Sequence, residues 1–177
     1  TYPTVKGFQV MSDEGTYMFS GYRGKWIPDT PNQRRTVIER LRTWNVFSNS
    51  SPIEGIVEAI RTYHAKDKKI SLYVFGDEFT GSSIDSVVKG VDIINREDAT
   101  GERRVRIHAI GFPVRPDAPQ YTSIRFATLM RILCQRNGGS FVGLDDPARG
   151  GRRIRIGENL AAPEPANQAL AQAAPGS

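Results

Sequence analysis

The chain has 177 residues, enough for one hydrophobic core and too few for two ordinary domains. No apolar stretch approaches the ~20 residues a membrane-spanning helix requires, and no signal-peptide pattern opens the sequence. The formal charge is +5, but residues 1–102 carry 13 Lys+Arg against 14 Asp+Glu while residues 103–177 carry 11 against 5, all 11 of them arginine.

In chain order, Val5–Met11 reads as a strand and Thr16–Phe19 as a second, with a turn at Gly15, so a hairpin is expected. Ser12, Asp13 and Glu14 are adjacent in that strand-to-turn segment and point in different directions, which suits a surface turn and not a metal cluster. Gly21–Pro28 is a loop whose Trp26 covers the edge of the core. Thr30-Pro31-Asn32-Gln33 starts a helix, with Thr30 as N-cap and Pro31 in the first turn. Its expected buried stripe is Val37, Ile38, Leu41 and Trp44, and it ends near Asn45. Ser51-Pro52-Ile53-Glu54 repeats the capping pattern ahead of a stripe formed by Ile53, Ile56, Val57, Ile60 and Tyr63. Lys66–Lys69 then places cations at that helix's C-terminus.

Ile70–Phe75 is the centre of the chain. Its nearly unbroken run of β-branched and aromatic residues predicts a strand buried on both faces. Gly76 ends it, Asp77 and Glu78 follow at its carboxyl end, and Thr80–Ser83 lead into a helix carrying Ile84, Val87, Val88 and Val91. Arg96–Glu102 is a polar turn and Val105–Phe112 a strand. Pro113, Pro116 and Pro119 mark a loop. Tyr121–Asn137 is a helix ended by Asn137-Gly138-Gly139, and Ser140–Leu144 is a short last strand. The lone Cys134 lies among Leu129, Met130, Ile132 and Leu133, so a buried thiol and a reducing, cytoplasmic setting are expected. Arg152–Ile156 alternates like an edge strand or an arm. Residues 160–177, rich in Ala, Pro and Gln, have no core-forming pattern and are expected to be a flexible tail after an α/β domain of residues 1–159.

Strand, helix, strand, helix, strand is the rhythm of a parallel sheet flanked by helices. The predicted fold is a three-layer α/β sandwich with a Rossmann-like, doubly wound, mainly parallel sheet and one antiparallel edge strand. Ligands of such sheets bind at the carboxyl ends of the strands, which singles out Asp77. Two arginine clusters, Arg103, Arg104 and Arg106 and then Arg149, Arg152, Arg153 and Arg155, offer a second candidate surface for RNA or DNA. The aromatic residues do not interleave with these arginines along the sequence as a stacking platform would.

Ser51-Pro52-Ile53-Glu54-Gly55 opening a helix, then YVFGDEFTG (Tyr73–Gly81), IHAIGF (Ile107–Phe112) and NGGSFVGL (Asn137–Leu144) together resemble the von Willebrand factor A domain over about Val5–Leu144. The resemblance implies a protein-binding module whose metal-ion-dependent adhesion site holds Mg²⁺ at the carboxyl end of the sheet. Asp77 matches the Asp of that site's third loop, and Ser51 stands where the family carries a Thr. Both offer oxygen ligands. The family's Asp-x-Ser-x-Ser is absent, and Val5–Met11 resembles the family's second strand, so this sequence lacks the family's first strand and helix, which lie on an upstream segment, on a separate chain or nowhere. A protein partner presenting an acidic side chain to the cation is the implied ligand. No Gly-x-Ser-x-Gly elbow, Gly-Lys-Ser/Thr loop or His-Glu-x-x-His helix occurs, and His64 and His108 have no nucleophile beside them in sequence. A non-enzymatic role is therefore expected.

Overall fold

A computed structural model describes residues 5–45, 48–65, 67–81, 83–96, 101, 103–113 and 120–144. All of them lie in the first of the two units into which the chain divides, Thr1–Asp146. The expectations at Arg149, Arg152, Arg153 and Arg155, for the strand or arm at Arg152–Ile156 and for the tail at 160–177 fall outside the described residues.

The centre is a mixed α/β body. Strands β3 (Ile70–Gly76), β4 (Val105–Gly111) and β5 (Phe141–Gly143) form a parallel sheet in the order β3-β4-β5. Helix α3 (Ile84–Ile94) joins β3 to β4, and α4 (Gln120–Arg136) joins β4 to β5. Both crossovers step in the same direction across the sheet, and parallel crossovers are right-handed, so both helices lie on one face. Helix α2 (Ile53–Tyr63) joins that layer. Ile56 and Ile60 from α2, Val91 from α3 and Leu129 and Leu133 from α4 share one core with Val74, Val105, Ile107 and Ala109 of the sheet.

The opposite face differs from expectation. The run Ile70–Phe75 is buried on one side only: Val74 lies in the core, whereas Tyr73 and Phe75 are 53 % and 60 % exposed. An unbroken apolar run has no polar alternation to signal that one face lacks a cover, so periodicity alone reads it as doubly buried.

The N-terminal segment also pairs differently from the hairpin expected. Strand β1 (Gly7–Phe8) is antiparallel to β2 (Ile27–Pro28), within the stretch expected to be a loop. Only a single bridge, Met11 to Tyr17, remains of the Thr16–Phe19 partner. These strands form a separate two-stranded sheet. Trp26 does cover the core edge, with its ring 4.6 Å from that of Tyr63 on α2. The turn at Ser12–Gly15 presses on α2, where Gly55 N donates to Asp13 O at 2.7 Å. A Cβ at Gly55 would sit 2.7 Å from Ser12 O, so only glycine permits this approach.

Helix α1 (Pro31–Leu41) starts as expected, with Gln33 N donating to Thr30 Oγ1. It ends four residues early, and of its stripe only Val37 is buried, while Ile38 and Leu41 are exposed.

Beneath the sheet, two fully buried asparagines take the place of apolar packing. Asn95 Oδ1 accepts from Val105 N, and its Nδ2 donates to Val105 O and to Asn137 Oδ1, each of the last two at 2.7 Å. Asn137 Nδ2 in turn donates to Leu133 O. The residue read as a helix terminator therefore ties the end of α4 to the ends of α3 and the start of β4. Gly138, at a positive φ of 66°, carries the left-handed turn that follows.

Cys134 is 1 % exposed, and burial pushes its thiol up to about 11. Because the thiolate is the reactive form, the folded chain is expected to resist a thiol reagent at mildly alkaline pH and to react fully in denaturant. Immediate labelling of the native chain would contradict this placement.

Candidate functional site

Three segments meet at the carboxyl end of β3. The first is the loop that leaves the strand, Asp77–Gly81. Phe79 anchors it: its side chain is completely buried, its N–H donates to Thr122 O, and the Arg125 guanidinium lies 5.0 Å from its ring centre. Glu78 turns toward α4, where it accepts from Thr122 Oγ1 at 3.2 Å. Asp77, next to it, stays exposed, and among the described residues no hydrogen bond or ion pair reaches its carboxylate. Adjacent residues diverge, so one acid is spent on structure and the other faces outward.

The second segment is Ser48–Pro52, ahead of α2. Ser51 N donates to Asn49 Oδ1 at 2.9 Å, an Asx-type turn, and Ser50 takes a positive φ of 55°. Ser51 was expected to cap α2, but no side-chain cap bond forms and Pro52 occupies the cap position. Its hydroxyl is left free of that duty. The two loops are stitched together by Thr80, whose N–H donates to Ser50 O at 3.1 Å and whose hydroxyl donates to Asn49 O at 2.6 Å. Gly81 packs so closely that a Cβ there would sit 3.1 Å from Ser51 Oγ. Together they border a cleft of about 380 Å³ lined by Asn49, Ser51, Glu54, Thr80 and Gly81 among others.

The third segment is the N-terminal turn. Asp13 Oδ2 accepts from Ser48 Oγ at 2.7 Å, which brings a further carboxylate to this end of the molecule. Sequence reading set Asp13 aside as part of a surface turn. A turn it is, since Gly15 N donates to Ser12 O and Thr16 N to Ser12 Oγ. Only folding could place it against Ser48, 35 positions away.

Ser51 and Asp77 thus lie on joined loops, with Ser51 in the cleft wall and Asp77 on the exposed strand exit outside the cleft lining. Asn49 and Thr80 line the cleft beside Ser51. No signal in the sequence marked them beyond turn composition. Among the described residues, no three His, Cys, Asp or Glu side chains converge as a metal cluster. The oxygens of Ser51 and Asp77 suit a hard cation in kind, but two protein ligands leave most of an octahedral shell to water or a partner.

Of the arginines singled out along the chain, the three described ones differ in their partners. Arg103 lies 3.5 Å from Asp92, which also binds Arg136, and donates to Asn95 O. Arg104 reaches toward Ile94 O at 3.4 Å, while Arg106 projects from β4 beside the sheet's uncovered face.

Comparison with family models, with curated proteins and with solved structures returns no match.

Proposed function

We propose that this chain is a protein-interaction module of the von Willebrand A type, which docks a partner through the loop end built around Ser51 and Asp77. The fold that goes with this reading is the three-layer, Rossmann-like, doubly wound sheet with one antiparallel edge strand. The carrying observation is Asp77: an exposed carboxylate, without a partner among the described residues, at the carboxyl end of a parallel strand. Asp92, by contrast, is paired with Arg103 and Arg136. In the metal-assisted form of the reading, Ser51 Oγ and the Asp77 carboxylate would hold Mg²⁺, and an acidic side chain of the partner would supply a further oxygen. Such a cation would add a charge-assisted contact of fixed direction to the partner's carboxylate.

The test is an NMR titration of the full chain with MgCl₂ and then with a short Asp-containing peptide. The amides of Ser51, Asp77 and Thr80 should shift, with weak affinity for Mg²⁺ alone. Asp77→Ala should abolish the response and leave the melting temperature unchanged, because the exposed carboxylate supports no contact. A response that survives Asp77→Ala removes this loop from the reading.

A second reading is an RNA- or DNA-binding domain that uses Arg103, Arg104 and Arg106 with Arg149, Arg152, Arg153 and Arg155. It has less support, since Arg103 is engaged with Asp92 and Asn95. Binding that weakens steeply with salt and is lost on joint replacement of Arg152 and Arg153 by Ala would favour it.

A further inference from the structure

The cleft between the loop after β3 and the segment ahead of α2 contains a hydroxyl that the fold does not use. Ser51 is only 9 % exposed, yet it lines this cleft. A Cβ on Gly81, across the cleft wall, would come within 3.1 Å of Ser51 Oγ, which places that oxygen at the cleft. The Ser51 N–H is held by Asn49 Oδ1, and α2 takes no side-chain cap. Among the described residues no hydrogen bond reaches Ser51 Oγ. Buried polar groups are bonded as a rule, so this one is available to whatever enters.

The rest of the lining sets what fits. Glu54 carries the only formal charge among the described lining residues. It is exposed in the first turn of α2, and among the described residues no ion pair or hydrogen bond reaches its carboxylate. Thr80 donates its hydroxyl proton to Asn49 O, which leaves lone pairs of Thr80 Oγ1 to accept. Half-buried Ile53 and buried Val87 supply apolar wall. Two more acids stand nearby: Asp13, bonded to Ser48, and Asp85, exposed in the first turn of α3. The Arg125 guanidinium is engaged by Gly81 O and by the rings of Phe79 and Tyr121. An anion would face these carboxylates, whereas a cation on an apolar stem finds a complement at each point.

We infer that this cleft takes a lysine side chain from a partner protein. Its methylene stem lies on Ile53 and Val87, and its ammonium donates to Ser51 Oγ, Thr80 Oγ1 and the Glu54 carboxylate. Oxygens on three separate side chains suit a compact ammonium with three rotatable donors; a guanidinium fork prefers one carboxylate bound in its plane. The cleft, about 380 Å³, is at the small end of ligand pockets (~300–1,000 Å³), so it admits one long side chain and not a helix. Lysine also separates a partner from the chain's own C-terminal part, because no lysine follows Lys89 in the sequence. The inference rests on this end of the molecule being a docking surface, and it needs neither Asp77 nor a metal.

The test is an NMR titration of the full chain, in EDTA, with a blocked Gly-Ser-Lys-Ser-Gly peptide. The amides of Ser51, Glu54 and Thr80 should shift with a Kd of about 1 mM, and the binding should weaken with salt. Norleucine in place of the lysine should bind about tenfold more weakly. Ser51→Ala should weaken the lysine peptide about tenfold and leave the melting temperature unchanged, because no hydrogen bond of the free chain uses that oxygen. Glu54→Gln, at an exposed position, should weaken it about three- to fivefold. The inference is overturned if the peptide leaves these amides unmoved, or if Ser51→Ala binds it as well as the original chain. It is equally overturned if the arginine or norleucine peptide binds as tightly as the lysine one. Shifts of the same amides with protein concentration, before any peptide is added, would put a second copy in the cleft and also overturn it. Failure here with an intact MgCl₂ response at Asp77 strikes the lysine inference alone. A silent MgCl₂ titration with an intact peptide response strikes the metal-assisted reading and supports this one.

Discussion

Replacing Asn95 by Leu is expected to lower the unfolding free energy by about 3–5 kcal/mol. The side chain is fully buried and makes three hydrogen bonds, two to the backbone of Val105 and one to Asn137 Oδ1. Leucine is of similar size, so no large cavity opens. What is lost is the pairing of Val105 N–H, Val105 C=O and Asn137 Oδ1, groups that water does not reach in the folded state. Each orphaned buried group costs about 1–3 kcal/mol, and partial relaxation keeps the sum below three full penalties. Set against a typical total of about 5–15 kcal/mol, the variant should be marginal at room temperature. Urea unfolding followed by circular dichroism checks this. A loss below about 1 kcal/mol would mean that the network is replaceable by ordinary apolar packing, as some buried polar groups are.

Phe79→Ala is expected to cost about 3–5 kcal/mol as well, and to disturb the candidate site with it. Phe79 is fully buried within the main core although it belongs to a loop, and it sits two residues from Asp77. Truncation removes the packing of a whole ring, leaves a cavity and leaves Arg125 with only Tyr121 of its two aromatic neighbours. It also frees Thr80, whose two hydrogen bonds join this loop to Asn49 and Ser50. Hydrogen exchange at the Thr80 amide should therefore accelerate beyond what the global loss predicts. Phe79→Leu, which conserves most of the volume, should cost less than about 1.5 kcal/mol and keep the Thr80 amide protected. Equal acceleration in both variants would show that the ring does not anchor the loop.

The two results bear on the function differently from Asp77→Ala. Phe79 holds the loop in place and acts through it, whereas Asp77 is the group a ligand would touch. A loss of ligand response in Phe79→Ala, with Phe79→Leu normal, is the signature of positioning. Loss in Asp77→Ala at unchanged stability is the signature of contact.

Much of the element order was legible along the chain because it rests on local chemistry. Thr30 capping ahead of Pro31, the run Ile70–Phe75, the stripe Val87-Val88-Val91 and the glycines after Asn137 each predict their own element from neighbours a few residues away. The candidate site was legible in part: Ser51 and Asp77 were chosen as residues on loops next to a strand and a helix, and both loops do lie at one end of β3, joined through Thr80. Asp13 was not, because nothing within its own turn signals contact with Ser48. The Asn95–Asn137 pair escaped for the same reason: 42 positions separate them, and each alone reads as a polar helix end.

From Thr30 onward the sequence by itself determined which segments turn helical or extended, and along the whole chain which residues are apolar enough to form a core, since propensity, capping and periodicity act within a few residues; the pairing of the first 28 residues it did not. Only the tertiary structure decided which apolar residues are covered: Val37 and not Ile38 or Leu41 on α1, Val74 and not Tyr73 or Phe75 on β3. Hydrophobicity states a demand for burial, and whether another element arrives to meet it depends on strand order and crossover handedness, which are properties of the assembled chain.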